Sequence, residues 1–140
     1  MTLTRDTNPV HDRLSAYAPQ ALAILRIVTG VLFIHGGVLI LFNIPASTYP
    51  PPPPEMSTLM TIAGVLELVG GVLIFLGFLT RLVAFILCGM MAVAYWGFHV
   101  PIDPWPANNL GVAAILYCFI FFYLFFAGPG AWSVDDLRRG

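Results

Sequence analysis

The stretch "AGVLELVGGVLIFLGF", Ala63 to Phe78, contains fifteen apolar or glycine residues and one carboxylate, Glu67. Such a run is either a buried core helix or a membrane span, and its surroundings decide which. The chain has 140 residues, 59% hydrophobic and 9% charged, with a mean hydropathy of +0.87. A soluble domain carries about 25% charged residues. Four apolar runs stand out: Ala21–Phe42, Thr58–Phe78, Leu82–Phe98 and Leu110–Ala127. Each is near the roughly 20 residues that a helix needs to cross about 30 Å of hydrocarbon, the third and fourth being slightly short. The first run is long for the apolar part of a signal peptide, and no small-residue cleavage site follows it. The sequence therefore predicts an all-α fold, an integral membrane four-helix bundle. Residues 1–20 precede the spans, 21–127 form them, and 128–140 are a tail.

Charge gives the orientation. Every basic residue is arginine: Arg5, Arg13, Arg26, Arg81, Arg138 and Arg139. With four spans they all fall on one side. The loops on the other side carry only Glu55 and Asp103. Positive residues stay inside, so both termini are expected in the cytoplasm. No basic patch points to nucleic acid.

The loops are distinctive. "YPPPPPE", Tyr49 to Glu55, holds five prolines in a row, a stiff polyproline II segment that reads as a spacer rather than a docking strip. "GFLTRL" fits only a tight antiparallel turn. "HVPIDPWPANN" offers Trp105 as an interfacial anchor. Gly128-Pro129-Gly130 stops the last span. Ser133 and Asp136 fit a capping pair for a short surface helix, with Trp132 beside it. Asn8-Pro9 fits the opening of another before the first span. Cys88 and Cys118 fall inside spans and read as small packing residues; a redox pair would need them adjacent, which spacing alone does not show.

Glu67 lies about 17 Å from the arginine-rich boundary, counting from Phe78 at about 1.5 Å per residue. A charge there costs at least about 2.5–3.5 kcal/mol, so it must be neutral, paired or facing a cavity. Gly64 and Gly71 lie at i−3 and i+4, which turns Glu67 toward another helix. Two partners are available on the first span: His35 at about 21 Å and Arg26 at about 8 Å. They are about half a turn apart on an ideal helix, so both cannot face the second span. Arg26 is favoured as the ionic partner, because a fixed charge best offsets a buried carboxylate. "GVLFIHGGVLI" (Gly30–Ile40) and "GVLELVGGVLI" (Gly64–Ile74) are identical at eight of eleven positions. Apolar helices share a small alphabet, so the useful content is the glycine spacing: Gly30, Gly37, Gly64 and Gly71 predict a close seam between the first two spans.

"LRIVTGVLFIHGG", "AGVLELVGGVLIFLGFLTR" and "NNLGVAAILYCFIFFYLFFAGPGAWSVDDL" together resemble the DoxX family of small four-helix membrane proteins. The resemblance covers nearly the whole chain and rests most on E-x-x-G-G running into G-x-x-T-R, and on G-P-G-x-W-S-x-D. It carries over Arg26, His35, Gly36, Glu67, Gly70, Gly71, Thr80, Arg81, His99, Gly128, Pro129, Gly130, Trp132, Ser133 and Asp135. Where relatives often have an acidic residue near the start of the last helix, Asn108 and Asn109 stand here. The resemblance implies a multi-pass protein of the bacterial cytoplasmic membrane. Some relatives are the membrane subunit of a thiosulfate:quinone oxidoreductase, and others accompany extracytoplasmic redox enzymes or thiol-stress proteins.

The residues offer no nucleophile triad, no Cys-x-x-Cys, no phosphate loop and no metal-ligand cluster. His35 and His99 sit at different depths, which disfavours a bis-His haem. The leading expectation is a small accessory subunit of a larger membrane or redox assembly, in contact with lipid and protein partners. Its buried polar network would comprise Arg26, His35, Glu67, Arg81 and His99. Its partner surface would be the aromatic run Tyr117, Phe119, Phe121, Phe122, Tyr123, Phe125 and Phe126. The alternative is a quinone-binding subunit, with Glu67 and His35 or Arg26 at the quinone head; a small-molecule transporter is weaker.

Overall fold

Helix α2 (Ala18–Phe42) covers the first apolar run. It starts with Pro19 in its first turn, where a missing N–H is no loss. It ends at Asn43, whose left-handed φ of 53° lets its N–H reach the Leu39 carbonyl. Helix α3 (Ser57–Leu76) follows a 3-10 turn over Pro54–Met56. Helix α4 (Thr80–Ala94) continues as a π-helical turn over Tyr95–His99. Helix α5 (Val112–Ala127) is the fourth apolar helix. Short helices lie before and after: α1 (Pro9–Ala16) and α6 (Val134–Leu137). The computed structural model describes residues 9–48 and 50–139; Arg5, Asn8 and Tyr49, named above for charge, helix start and the proline loop, lie outside them. Among the described residues there is no strand. Three elements, Ala18–Phe42, Pro54–Leu76 and Thr80–His99, are long and apolar enough to cross a membrane, and Val112–Ala127 is shorter.

Helices α2 and α3 meet backbone to backbone. A methyl group on Gly37 would lie 2.5 Å from the Leu68 nitrogen, and one on Gly30 would lie 2.6 Å from the Phe75 nitrogen. From the other side, a methyl group on Gly71 would lie 2.7 Å from the Ile34 nitrogen, and one on Gly64 would lie 2.8 Å from the Ile40 side chain. Any side chain at these positions would push the helices apart. On the other side of the molecule α4 packs on α5. Phe33 of α2 joins the two halves, standing edge-on to Tyr117 at 4.8 Å and to Phe121 at 4.7 Å. Leu87, Met91, Ala114 and Leu124 complete that core.

The aromatic run of α5 is not one outward surface. Ala114, Phe121 and Leu124 are buried, and Tyr117 and Phe125 are half-buried. At 3.6 residues per turn these five positions share the inward face. Only Phe119, Phe122, Tyr123 and Phe126 remain exposed, which corrects the expectation for Tyr117, Phe121 and Phe125.

The α3–α4 turn is a Schellman cap. Gly77 has φ 67°, its N–H reaches the Ile74 carbonyl, and the Phe78 N–H reaches Leu73. The tail does not hang free. Gly130, with φ 70°, would place a methyl group 2.7 Å from the Pro19 carbonyl, and the Ala131 N–H bonds that carbonyl at 3.0 Å. Ser133 caps α6 by accepting from the Asp136 N–H at 3.1 Å.

Candidate functional site

Two polar centres lie at different levels of the helices. The first is a clamp at the arginine-rich end. Arg26 is fully buried. Its Nε donates to the Pro129 carbonyl, Nη1 to those of Ile74 and Phe75, and Nη2 to those of Ala131 and Trp132. A guanidinium has five N–H groups, and these five carbonyls use them all. Ile74 and Phe75 are the last turn of α3, the negative end of its dipole, so backbone carbonyls rather than a paired carboxylate surround the charge, with Asp135 and Asp136 acting on it from farther off. The expected ion pair with Glu67 is therefore corrected. Ile74 lies about 10 Å along α3 from Glu67, and no donor of Arg26 is left for a carboxylate.

Two neighbouring contacts repeat this logic. Asp135 accepts from the Leu79 and Thr80 N–H groups at 2.8 and 2.9 Å, capping the start of α4. Its burial opposes ionisation. The hydrogen bonds from Thr80 and Leu79, with Arg139 nearby, outweigh that and hold its carboxyl below the usual carboxylate range. Arg81 is exposed and donates to the Phe125 and Phe126 carbonyls at the end of α5. It is a surface cap and not a member of a buried network. Thus G-x-x-T-R and G-P-G-x-W-S-x-D are two halves of one lock that ties three helix ends to the tail.

The second centre is a cavity of about 560 Å³ between α2, α3, α4 and α5. Its polar side chains are Glu67 from α3, His99 from the π-helical turn and Tyr117 from α5. Glu67 is half-buried, and its carboxylate occupies the space that a Cβ on Gly36 would need. No hydrogen bond or ion pair engages it among the described residues. His99 is held by its loop: Nδ1 lies 2.8 Å from the Asn109 carbonyl. A carbonyl only accepts, so Nδ1 carries the hydrogen, and in the neutral ring Nε2 is the free acceptor. Asn109 is itself fixed, its amide donating to the Asp103 carbonyl and its Oδ1 accepting from the Gly111 N–H. The widened turn at Tyr95–His99 is what presents His99 at the end of α4. The rest of the wall is apolar, and Met56, Met60, Met90 and Met91, every methionine except Met1, line it.

His35 is elsewhere. It is exposed on α2 and does not line the cavity, so it shares no site with Glu67 or His99. Its neighbour Gly36 is the residue that faces Glu67. The aromatic Tyr117, read in the sequence as partner surface, is instead cavity wall. Asn109 was marked only by the resemblance, as an asparagine where relatives often have an acidic residue, and the methionines carried no spacing that marked them. The only signal of the methionines was the clustering of four of them in two short pairs, 56/60 and 90/91. No group of three or more His, Cys, Asp or Glu that could hold a metal ion is present among the described residues.

Away from both centres, Cys88 of α4 and Cys118 of α5 touch, with their sulfurs 3.7 Å apart.

The family model described as DoxX matches residues 21–100. The chain is similar to a protein of Haemophilus influenzae described as an uncharacterized protein. The two are 38% identical over 128 residues, covering 89% of this chain and 96% of that protein. No solved structure matches.

Proposed function

The chain belongs to the DoxX family of membrane proteins, and we propose that it binds a lipophilic molecule with a flat, hydrogen-bonding head, a quinone being the class that fits, in the cavity between its apolar helices. The observation that carries this reading is the meeting of Glu67, His99 and Tyr117 on the wall of an otherwise apolar cavity. A quinone head needs donors for its carbonyl oxygens, and its reduction needs protons where water is scarce. Tyr117 donates; Glu67 and His99 can each hold or release a proton. The volume is in the range of about 300–1,000 Å³ typical of small-molecule sites. Methionine walls adapt to irregular apolar tails.

In this reading α2, α3, α4 with its π-helical turn, and α5 are four membrane spans. Both termini and the arginine clamp lie in the cytoplasm, and the proline loop lies outside. The site then sits toward the outer half of a bacterial cytoplasmic membrane. A second reading, the accessory subunit, has its own support. Phe119, Phe122, Tyr123 and Phe126 form an exposed aromatic face on α5 that suits a partner helix. The two readings are compatible, since a ligand-binding subunit can also be a docking one.

The test is equilibrium binding of a fully substituted benzoquinone to the detergent-purified protein. Glu67→Gln and His99→Ala are each expected to weaken binding about tenfold, the upper end of the value of one lost hydrogen bond. Folded variants that bind as well as the parent would refute the assignment.

A further inference from the structure

We propose that Cys88 and Cys118 are a redox pair that closes into a disulfide between α4 and α5, and that its oxidant arrives through the membrane as a quinone. The site is separate from the cavity and does not depend on what the cavity binds. The two residues are thirty positions apart, yet their sulfurs are in contact at 3.7 Å. A disulfide forms at about 2.05 Å, so closure needs the two sulfurs to approach by about 1.7 Å, by rotation of the thiols about their Cα–Cβ bonds. The thiols are already oriented. The Cys118 S–H lies 3.5 Å from the Cys88 carbonyl. With that hydrogen so engaged, the Cys118 sulfur is left to accept from the Cys88 S–H.

Access is from the side. Cys88 lines a groove on the outer face of α4 and α5 with Gly89, Phe85, Phe122, Phe125 and Phe126. A methyl group on Gly89 would meet nothing within 4 Å, so the approach beside Cys88 is open. The aromatic walls can stack a flat ring. An ion is poorly placed here, whereas a neutral, apolar oxidant dissolved in hydrocarbon is well placed. The balance fits such a site. Two thiols lose two electrons and two protons and form one S–S bond. The quinone gains both and becomes the quinol. No net charge is left in the membrane.

The chain supplies its own assay. Cyanogen bromide cuts after methionine, and Met90 and Met91 lie between the two cysteines, so cleavage yields fragment 61–90 with Cys88 and fragment 92–140 with Cys118. The full chain in lipid vesicles would be exposed to a fully substituted benzoquinone, alkylated to trap free thiols, and cleaved. The two fragments are expected to stay joined until a reductant is added, and the intact protein to lose the mass of two hydrogens. Cys88→Ser and Cys118→Ser should each abolish the link while the protein still elutes as the folded parent does. A membrane-impermeant oxidant such as ferricyanide should close the pair at least tenfold more slowly. Free thiols after quinone treatment, a quinone adduct on either sulfur, links between copies, or equally fast closure by ferricyanide would each overturn the proposal.

Discussion

Replacing Arg26 with lysine tests the clamp while keeping the charge. In the structure five carbonyls accept from one guanidinium. An ammonium has three donors, so at least two of those carbonyls lose their partner in a buried place. A hydrogen bond to a charged group contributes about 1.5–3 kcal/mol, and two of them put the loss at about 3–6 kcal/mol. Against a typical total of about 5–15 kcal/mol, that is a large part of the stability. Glu67→Gln provides the contrast. Glu67 has no hydrogen-bonded partner to lose, so its isosteric amide should cost less than about 1 kcal/mol. The assay is reversible unfolding in mixed micelles by increasing the fraction of denaturing detergent. Arg26→Lys within about 1 kcal/mol of the parent would show that the five carbonyls do not depend on the guanidinium. So would a Glu67→Gln loss equal to that of Arg26→Lys, because it would mean that the two residues are paired after all.

Asp135→Ala should cost about 0.5–2 kcal/mol, the usual value of a helix N-terminal cap, measured in the same unfolding assay. The pH dependence has a definite sign. The carboxyl is held below its ordinary range, so its contribution is complete above about pH 3.9 and is lost as pH falls through the lowered value. Hydrogen exchange in residues 131–139 should therefore stay slow down to about pH 4 and rise only below it; loosening centred near neutrality would contradict the cap. A reporter fused after Gly140 that is active only outside the membrane should be silent, and activity from it would overturn the proposed orientation.

The helices were legible because hydropathy is a one-dimensional property: the four apolar runs became α2, α3, α4 with its π-helical turn, and α5, within a few residues at each end. The α2–α3 seam was legible too, since glycines spaced by seven stay on one face, and Gly30, Gly37, Gly64 and Gly71 all meet the opposite helix closely. Rotation about a helix axis and the return of distant chain were not legible. Depth put Arg26 low on its span, as it is, but nothing in the spacing showed that residues 129–132 fold back to supply three of its five carbonyls. An apolar helix rich in Phe has no polar face to mark which side is inward, so Phe121 looked like surface. His35 and Gly36 are adjacent, and about 100° of rotation decides which one faces Glu67. His99 depended on a widened turn that composition does not encode.

Quinone binding in the cavity is measured most directly by photolabelling the purified protein in lipid with an azido-quinone and mapping the modified residues by mass spectrometry. Label is expected on the cavity wall, at Met60, Met90, Tyr117 and their neighbours, suppressed by excess unlabelled quinone and by Glu67→Gln. Absence of label from the cavity wall, with label only on the outer face of α5 and indifferent to Glu67→Gln, would contradict it.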